Sequence, residues 1–156
     1  MTTDRDISWN GSGGTFNLRV AAIITHNEMI LLCRLEKYWF LPGGRVRLGE
    51  TSGAAPAREL AEELGHQLTP TDVALVVENI YTERTLQHEI GVYYHLAWPK
   101  ALADNDLNGG SEPGHTFRWV PLPDLGSVWF EPADLVPMLQ NPSGTLQHVV
   151  LDRRTG

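Results

Sequence analysis

Glu59, Glu62 and Glu63 fall within one short acidic and apolar stretch, residues 55–65. If that stretch is helical, a rotation of about 100° per residue gathers the three carboxylates within an arc of roughly 100°. Ala57, Leu60, Ala61 and Leu64 then occupy a similar arc almost opposite, so one face can bury while the other collects negative charge. Like charges three and four residues apart each cost a helix about 0.2–0.5 kcal/mol, and Arg58 is the one basic residue close in sequence to offset them. A divalent cation would remove the repulsion. Oxygen ligands suit magnesium, manganese or calcium, and magnesium keeps several waters while sharing a substrate's phosphates. Taken alone, Glu-x-x-Glu-Glu reads more simply as a solvated helix face, because charged residues ordinarily stay outside.

The flanking residues support a loop feeding a helix. Thr51 or Ser52 can cap the N-terminus, Pro56 stands near the first turn, where its missing N–H costs little, and Gly65 can end the helix in a left-handed conformation. Ahead of the helix, Gly43 and Gly44 let the backbone approach a ligand closely, and a peptide carbonyl there can ligate a metal. The complete pattern is Gly44, Glu50, Arg58-Glu59-Leu60, Glu62-Glu63 and Gly65. It resembles the signature box of the Nudix hydrolases (MutT-like). A chance match at a given start has a probability on the order of 10⁻⁹ at ordinary residue frequencies, which displaces the solvated-face reading. One position departs: His66 stands where the family carries an aliphatic residue that packs rather than reacts.

The resemblance implies a metal-dependent hydrolase that cleaves the pyrophosphate linkage of a nucleoside diphosphate joined to another group. It implies Glu59 and Glu63 as direct metal ligands, Glu62 as a third ligand or the holder of a metal's water, and the Gly44 carbonyl as a further ligand. Mg2+ or Mn2+ is the implied cofactor. Glu59 is the leading general base, although some members draw the base from a loop outside the box. Arg58 would orient a carboxylate through its forked donors, and Glu50 would bind metal or brace the loop. A further acidic ligand is expected from Glu112, in a loop able to swing toward a metal, or from Glu89 at the start of a strand; Glu112 is preferred. His88 and His115 read as surface polar residues, since a hard-metal site has little use for imidazole.

The whole chain bounds these readings. Its 156 residues suit one domain, expected over 15–156 behind a flexible lead at 1–14 that includes Trp9. A net charge of −7 argues against binding polymeric nucleic acid. It also makes a bound cation close to a requirement if a polyphosphate is to approach. There is no apolar run long enough for a membrane span and no basic-then-apolar leader, so a soluble cytoplasmic protein is expected. Cys33, the single cysteine, lies in an apolar run and reads as a buried structural thiol. A homodimer is the commonest soluble assembly, but the sequence leaves oligomeric state open.

The elements that must hold the acidic helix follow from pattern. Residues 16–25 and 29–35 are apolar and joined by His26-Asn27-Glu28, predicting a hairpin at the centre of a sheet, with His26 a turn residue. Trp39 reads as core. Residues 72–81 and 88–98 predict two more strands, 99–115 a long polar loop of the kind that shapes binding sites, and 116–120 a short strand closed by Pro121. Residues 131–140 read as a closing helix limited by Pro137, 149–151 as a brief apolar tail, and 152–156 as frayed. Strands interleaved with two helical segments imply an α/β fold with a mixed sheet, which the resemblance sharpens to the Nudix α/β/α sandwich.

Two other functions compete. A non-catalytic Nudix-like module that binds a nucleotide as a sensor would not need a crowded carboxylate cluster. A diphosphate isomerase of the same fold is weakened because Cys33 falls in a core strand. The residues that bind substrate, including any role for Trp39, Tyr81, Trp129 or Phe130 at a nucleobase, cannot be assigned from spacing.

Overall fold

The computed structural model describes residues 5–99 and 114–155. Among them β1 (Ser8–Gly11) and β2 (Gly14–Ile23) form an antiparallel hairpin with Ser8 opposite Asn17. The Ser8 hydroxyl donates to the buried Asn17 amide oxygen at 2.7 Å. Part of the expected flexible lead is therefore strand, because pairing with β2 satisfies its backbone groups.

The chain continues through β3 (Thr25–His26), β4 (Met29–Arg34), β5 (Trp39–Phe40), β6 (Gly43–Arg45) and α1 (Ala55–Leu64). Then come β7 (Thr69–Thr82), β8 (Leu86–Ala97), β9 (Thr116–Pro121), two 3-10 turns, α2 (Val136–Gln140) and β10 (Gln147–Arg153). The larger sheet runs β1-β2-β8-β7-β10, with β6 also on β2; β2 with β8 and β7 with β10 are parallel, the rest antiparallel. The smaller sheet runs β3-β4-β5, with β9 on β4.

The predicted hairpin of 16–25 with 29–35 is thus divided between two sheets. One edge of β2 is taken by β8 and the other by β1 and β6, so β4 pairs with the two residues of β3 instead. Asn27 and Glu28, both at positive φ, make the tight turn between them.

Alternation along β2 and into Ile24 just beyond it builds two cores. Ala21 and Ile23 join Leu75, Val77, Leu135, Leu139 and Leu151 on one face, whereas Ala22 and Ile24 join Leu31, Leu60 and Leu64 on the other. Helix α1 covers the second face and α2 the first, which is the α/β/α sandwich. Trp39 is buried in the first core, as expected. The closing helix is shorter than 131–140. Pro137 lacks an N–H and fits only a first turn, so regular helix starts at Val136 behind the 3-10 turn Ala133–Leu135. The C-terminal tail is a full strand: Gln147–Arg153 pairs with β7 from Leu75 to Tyr81, burying Val149 and Leu151 while Val150 faces out. Asp152 and Arg153, expected to fray, belong to that ladder.

Candidate functional site

Neither Thr51 nor Ser52 caps α1. The cap position is Ala54, with no side-chain hydrogen bond, and Thr51 instead shapes the turn ahead of the helix, its hydroxyl accepting the Ala54 N–H at 3.2 Å. Ser52 pairs with the Tyr94 hydroxyl at 2.8 Å, tying the same turn to β8. At the other end Gly65, at φ 77°, donates its N–H to the Ala61 carbonyl and stops the helix as expected.

The helix is rotated relative to the sequence expectation. Its buried residues are Ala55, Pro56, Leu60, Glu63 and Leu64, whereas Ala57 and Ala61 are only half-buried. The buried stripe is therefore centred near Glu63 and Leu60 rather than opposite all three glutamates. The cause is the double contact of α1: Ala55 packs with Val20 and Val46, while Leu60 and Leu64 pack with Leu31 of the smaller sheet. Glu63 is 4% exposed, Glu59 and Glu62 less covered.

Arg58 joins the loop to the helix. Its Nε donates to Glu50 Oε1 at 2.6 Å and one terminal nitrogen donates to Glu50 Oε2 at 3.0 Å and to the Arg45 carbonyl at 3.0 Å. The other terminal nitrogen donates to Glu59 Oε1 at 2.8 Å and approaches Glu62 at 3.4 Å. The Arg47 N–H also donates to Glu50, at 2.9 Å, and the Arg47 guanidinium reaches Glu62 at 3.3 Å. Arg47 thus supplies a second cation where adjacency in sequence suggested Arg58 alone. The Arg58 guanidinium, aided by the Arg47 N–H and opposed by burial, holds the Glu50 carboxyl below its ordinary range, and the same bond raises Arg58. Glu50 is accordingly engaged as a brace of the loop.

Gly44 lies directly against the Glu59 carboxylate. A Cβ placed there would sit 2.5 and 2.6 Å from the two Glu59 carboxylate oxygens. Only glycine leaves room for the Glu59 carboxylate against the backbone here, so the glycine loop and α1 meet at this point. Among the described residues a further group converges from three elements: Cys33, Glu63 and His115 place ligand atoms within 4.8 Å of one another. His115 is half-buried and stacks on Phe117, so it is not the plain surface residue expected; Cys33 is fully buried, as expected. His88 is likewise half-buried, its ring edge-on to Phe16.

Glu112 lies outside the described residues. Glu89 lies on the opposite face of the larger sheet from α1, in the wall of a cavity of about 710 Å³ that also presents Arg19, Tyr81, Tyr93 and Asn79. Phe40, Tyr38 and Trp129 stand at the same cavity, and backbone bonds of Trp39 to Trp129 at 2.7 Å and Glu131 at 2.9 Å hold that wall together.

A family model described as NUDIX domain matches residues 15–141. The chain belongs to the Nudix family. Among solved structures, a MutT Nudix hydrolase from Burkholderia pseudomallei is similar at a TM-score of 0.66 and 24% identity, covering 82% of this chain and 98% of that one. A MutT protein from Methanosarcina mazei Go1 is similar at a TM-score of 0.65 and 21% identity, covering 83% and 96%. These likenesses bear on the fold. Over a 27-residue segment, 17% of the chain, a Mycobacterium tuberculosis protein described as putative 8-oxo-dGTP diphosphatase 2 is 74% identical. That match spans 19% of the relative's length.

In this Nudix domain the departure at His66 is accommodated locally. His66 is half-buried, and Leu68 supplies the apolar side chain that joins Leu60 and Leu64 in the core. Three features escaped the sequence reading: Arg47, the aromatic cavity, and the grouping of Cys33 with His115. Arg47 carried a signal, since it lies between Gly44 and Glu50 within the box itself. Tyr81, Trp129 and Phe130 of the cavity wall were legible as aromatic candidates, but their convergence, like the grouping of Cys33 with His115, depends on strand register.

Proposed function

We propose that the chain is a divalent-metal-dependent pyrophosphohydrolase acting on a small nucleotide, cleaving the pyrophosphate linkage of a nucleoside diphosphate joined to another group. The observation that carries this reading is the contact of Gly44 with the Glu59 carboxylate beside an Arg58 that engages Glu50, Glu59 and Glu62 together. Gly44 through its carbonyl, Glu59, Glu62 and Glu63 would hold Mg2+ or Mn2+, with Glu112 as a further ligand. When bound, the cation neutralises phosphoryl oxygens and acidifies water. Glu59 takes the proton of the attacking water, Arg58 orients Glu59, Arg47 holds Glu62, and Glu50 keeps the glycine loop against the helix.

The cavity of about 710 Å³ falls in the usual range for a small-molecule site and its aromatic walls suit a nucleobase. Because of the segment shared with a putative 8-oxo-dGTP diphosphatase, oxidised purine nucleoside triphosphates head the substrate panel. No helix among the described residues is long and apolar enough to cross a membrane. A soluble nucleotide pool in the cytoplasm is the proposed source of substrate.

The test is phosphate or pyrophosphate release across nucleoside triphosphates, dinucleoside polyphosphates and sugar nucleotides, with Mg2+, Mn2+ or EDTA. Hydrolysis of at least one class that stops in EDTA, and that falls about 10²–10⁴-fold in Glu59→Gln, is expected. Equal rates in wild type and Glu59→Gln would remove the assignment. Tight nucleotide binding without turnover would replace it with the sensor reading.

A further inference from the structure

Cys33 lies on β4, Glu63 on α1 and His115 immediately ahead of β9. Strands β4 and β9 run antiparallel with Cys33 opposite Phe117, so His115, two residues before Phe117, shares the face of the smaller sheet that carries Cys33. Helix α1 covers that same face, since Leu31, Phe117 and Trp119 pack with Leu60 and Leu64. Tertiary packing thus brings a thiol, an imidazole and a carboxylate from three separate elements to within 4.8 Å of one another. The His115 ring is held by its stacking on Phe117, at 6.4 Å between centroids and 21° between planes.

This donor set differs in kind from the oxygen ligands proposed above for the hydrolytic cation. Sulfur and nitrogen favour zinc and its borderline-soft neighbours, which bind such sites more tightly than magnesium does. Three protein ligands with a fourth position left to water is a common zinc arrangement. Metal–ligand bonds of about 2.0–2.3 Å place tetrahedral ligand atoms roughly 3.3–3.8 Å apart, so the group closes onto an ion with side-chain shifts of about 1 Å. Cys33 would bind as thiolate, its proton passing to solvent.

We propose that Cys33, Glu63 and His115 form a site for a zinc-class divalent ion, and that filling it commits Glu63 to that ion, withholds it from the hydrolytic cation proposed above and so opposes hydrolysis. The binding half stands on these three residues alone; the inhibitory half rests on the hydrolase reading above.

Cobalt(II) serves as the spectroscopic probe. Titrating the whole, EDTA-stripped protein with cobalt is expected to give a saturable thiolate-to-cobalt charge-transfer band that zinc abolishes. The band should vanish in Cys33→Ser, require at least tenfold more cobalt in His115→Gln, and persist in Glu59→Gln. In magnesium-supported hydrolysis, stoichiometric zinc should inhibit wild type and inhibit His115→Gln at least tenfold more weakly. Absence of the band in wild type, or its survival at full affinity in His115→Gln, overturns the site. His115 is half-buried, so its variant keeps the test decisive should Cys33→Ser fail to fold. Zinc binding without effect on a measured hydrolysis overturns the inhibitory half. Lack of hydrolysis under any metal counts against the function above while leaving the cobalt result standing.

Discussion

Glu50 and Arg58 are the pair whose energetics set the loop. Both side chains are less than one-fifth exposed, and the guanidinium grips both carboxylate oxygens. Charge-assisted bonds of this kind are worth about 1.5–3 kcal/mol, and removal of one partner leaves the other charge poorly solvated. Glu50→Gln should therefore lower unfolding stability at neutral pH by about that amount in chemical denaturation. The pH dependence has a definite sign. The folded-state pKa of Glu50 lies below its ordinary 4.5, so its contribution is fully present above 4.5 and is lost as pH falls through the depressed value. The stability gap between wild type and Glu50→Gln should accordingly narrow as pH drops below 4.5, and a gap constant down to acid unfolding would contradict the assignment.

At the scale of elements, the glycine loop and α1 act as one unit. In Gly44→Ala the added methyl meets the flexible end of Glu59 rather than a backbone wall, so Glu59 gives way and the fold does not. The expected outcome is an unfolding free energy within about 1 kcal/mol of wild type and a kcat roughly 10²-fold lower, since a displacement of about 1 Å at a reacting group costs that much. A comparison substitution, Gly65→Ala, belongs to the opposite class. At φ 77° alanine is strained, and the expected loss is about 1 kcal/mol or more of stability by thermal denaturation. If the two variants exchanged these effects, the separation of site geometry from helix termination would fail.

For the whole molecule, the cavity face of the larger sheet carries a consequence at alkaline pH. Tyr93 keeps part of its surface accessible but is densely surrounded by protein, and burial pushes its phenol up to about 12, with Glu89 adding to the shift. An unfolded chain ionises that phenol near 10.0, so stability is intact below 10.0 and falls as pH rises toward about 12. Tyr93→Phe should flatten that decline in denaturation curves taken across the window. A decline of equal slope in both proteins would place its origin elsewhere. Tyr81, raised to about 12 in the same wall, and Tyr38, raised there by burial, contribute to the residual slope.

What local pattern determined is the acidic box, the helix stop at Gly65, the strand alternation and the burial of Cys33 and Trp39. Each of these depends on spacing within one element or on the polarity of a single run. Tertiary structure decided the rest. The rotation of α1 that buries Glu63 comes from its contact with two sheets at once, and the division of the expected hairpin comes from β2 having both edges already taken. Residues 147–153 are a strand because β7, distant in sequence, offers an edge. Arg47 reaches Glu62, and His115 reaches Cys33, only through pairings of residues far apart in the chain. Periodicity tells which face of an element is apolar. It is silent on which other face that surface will meet, and so on which side chains will share a site.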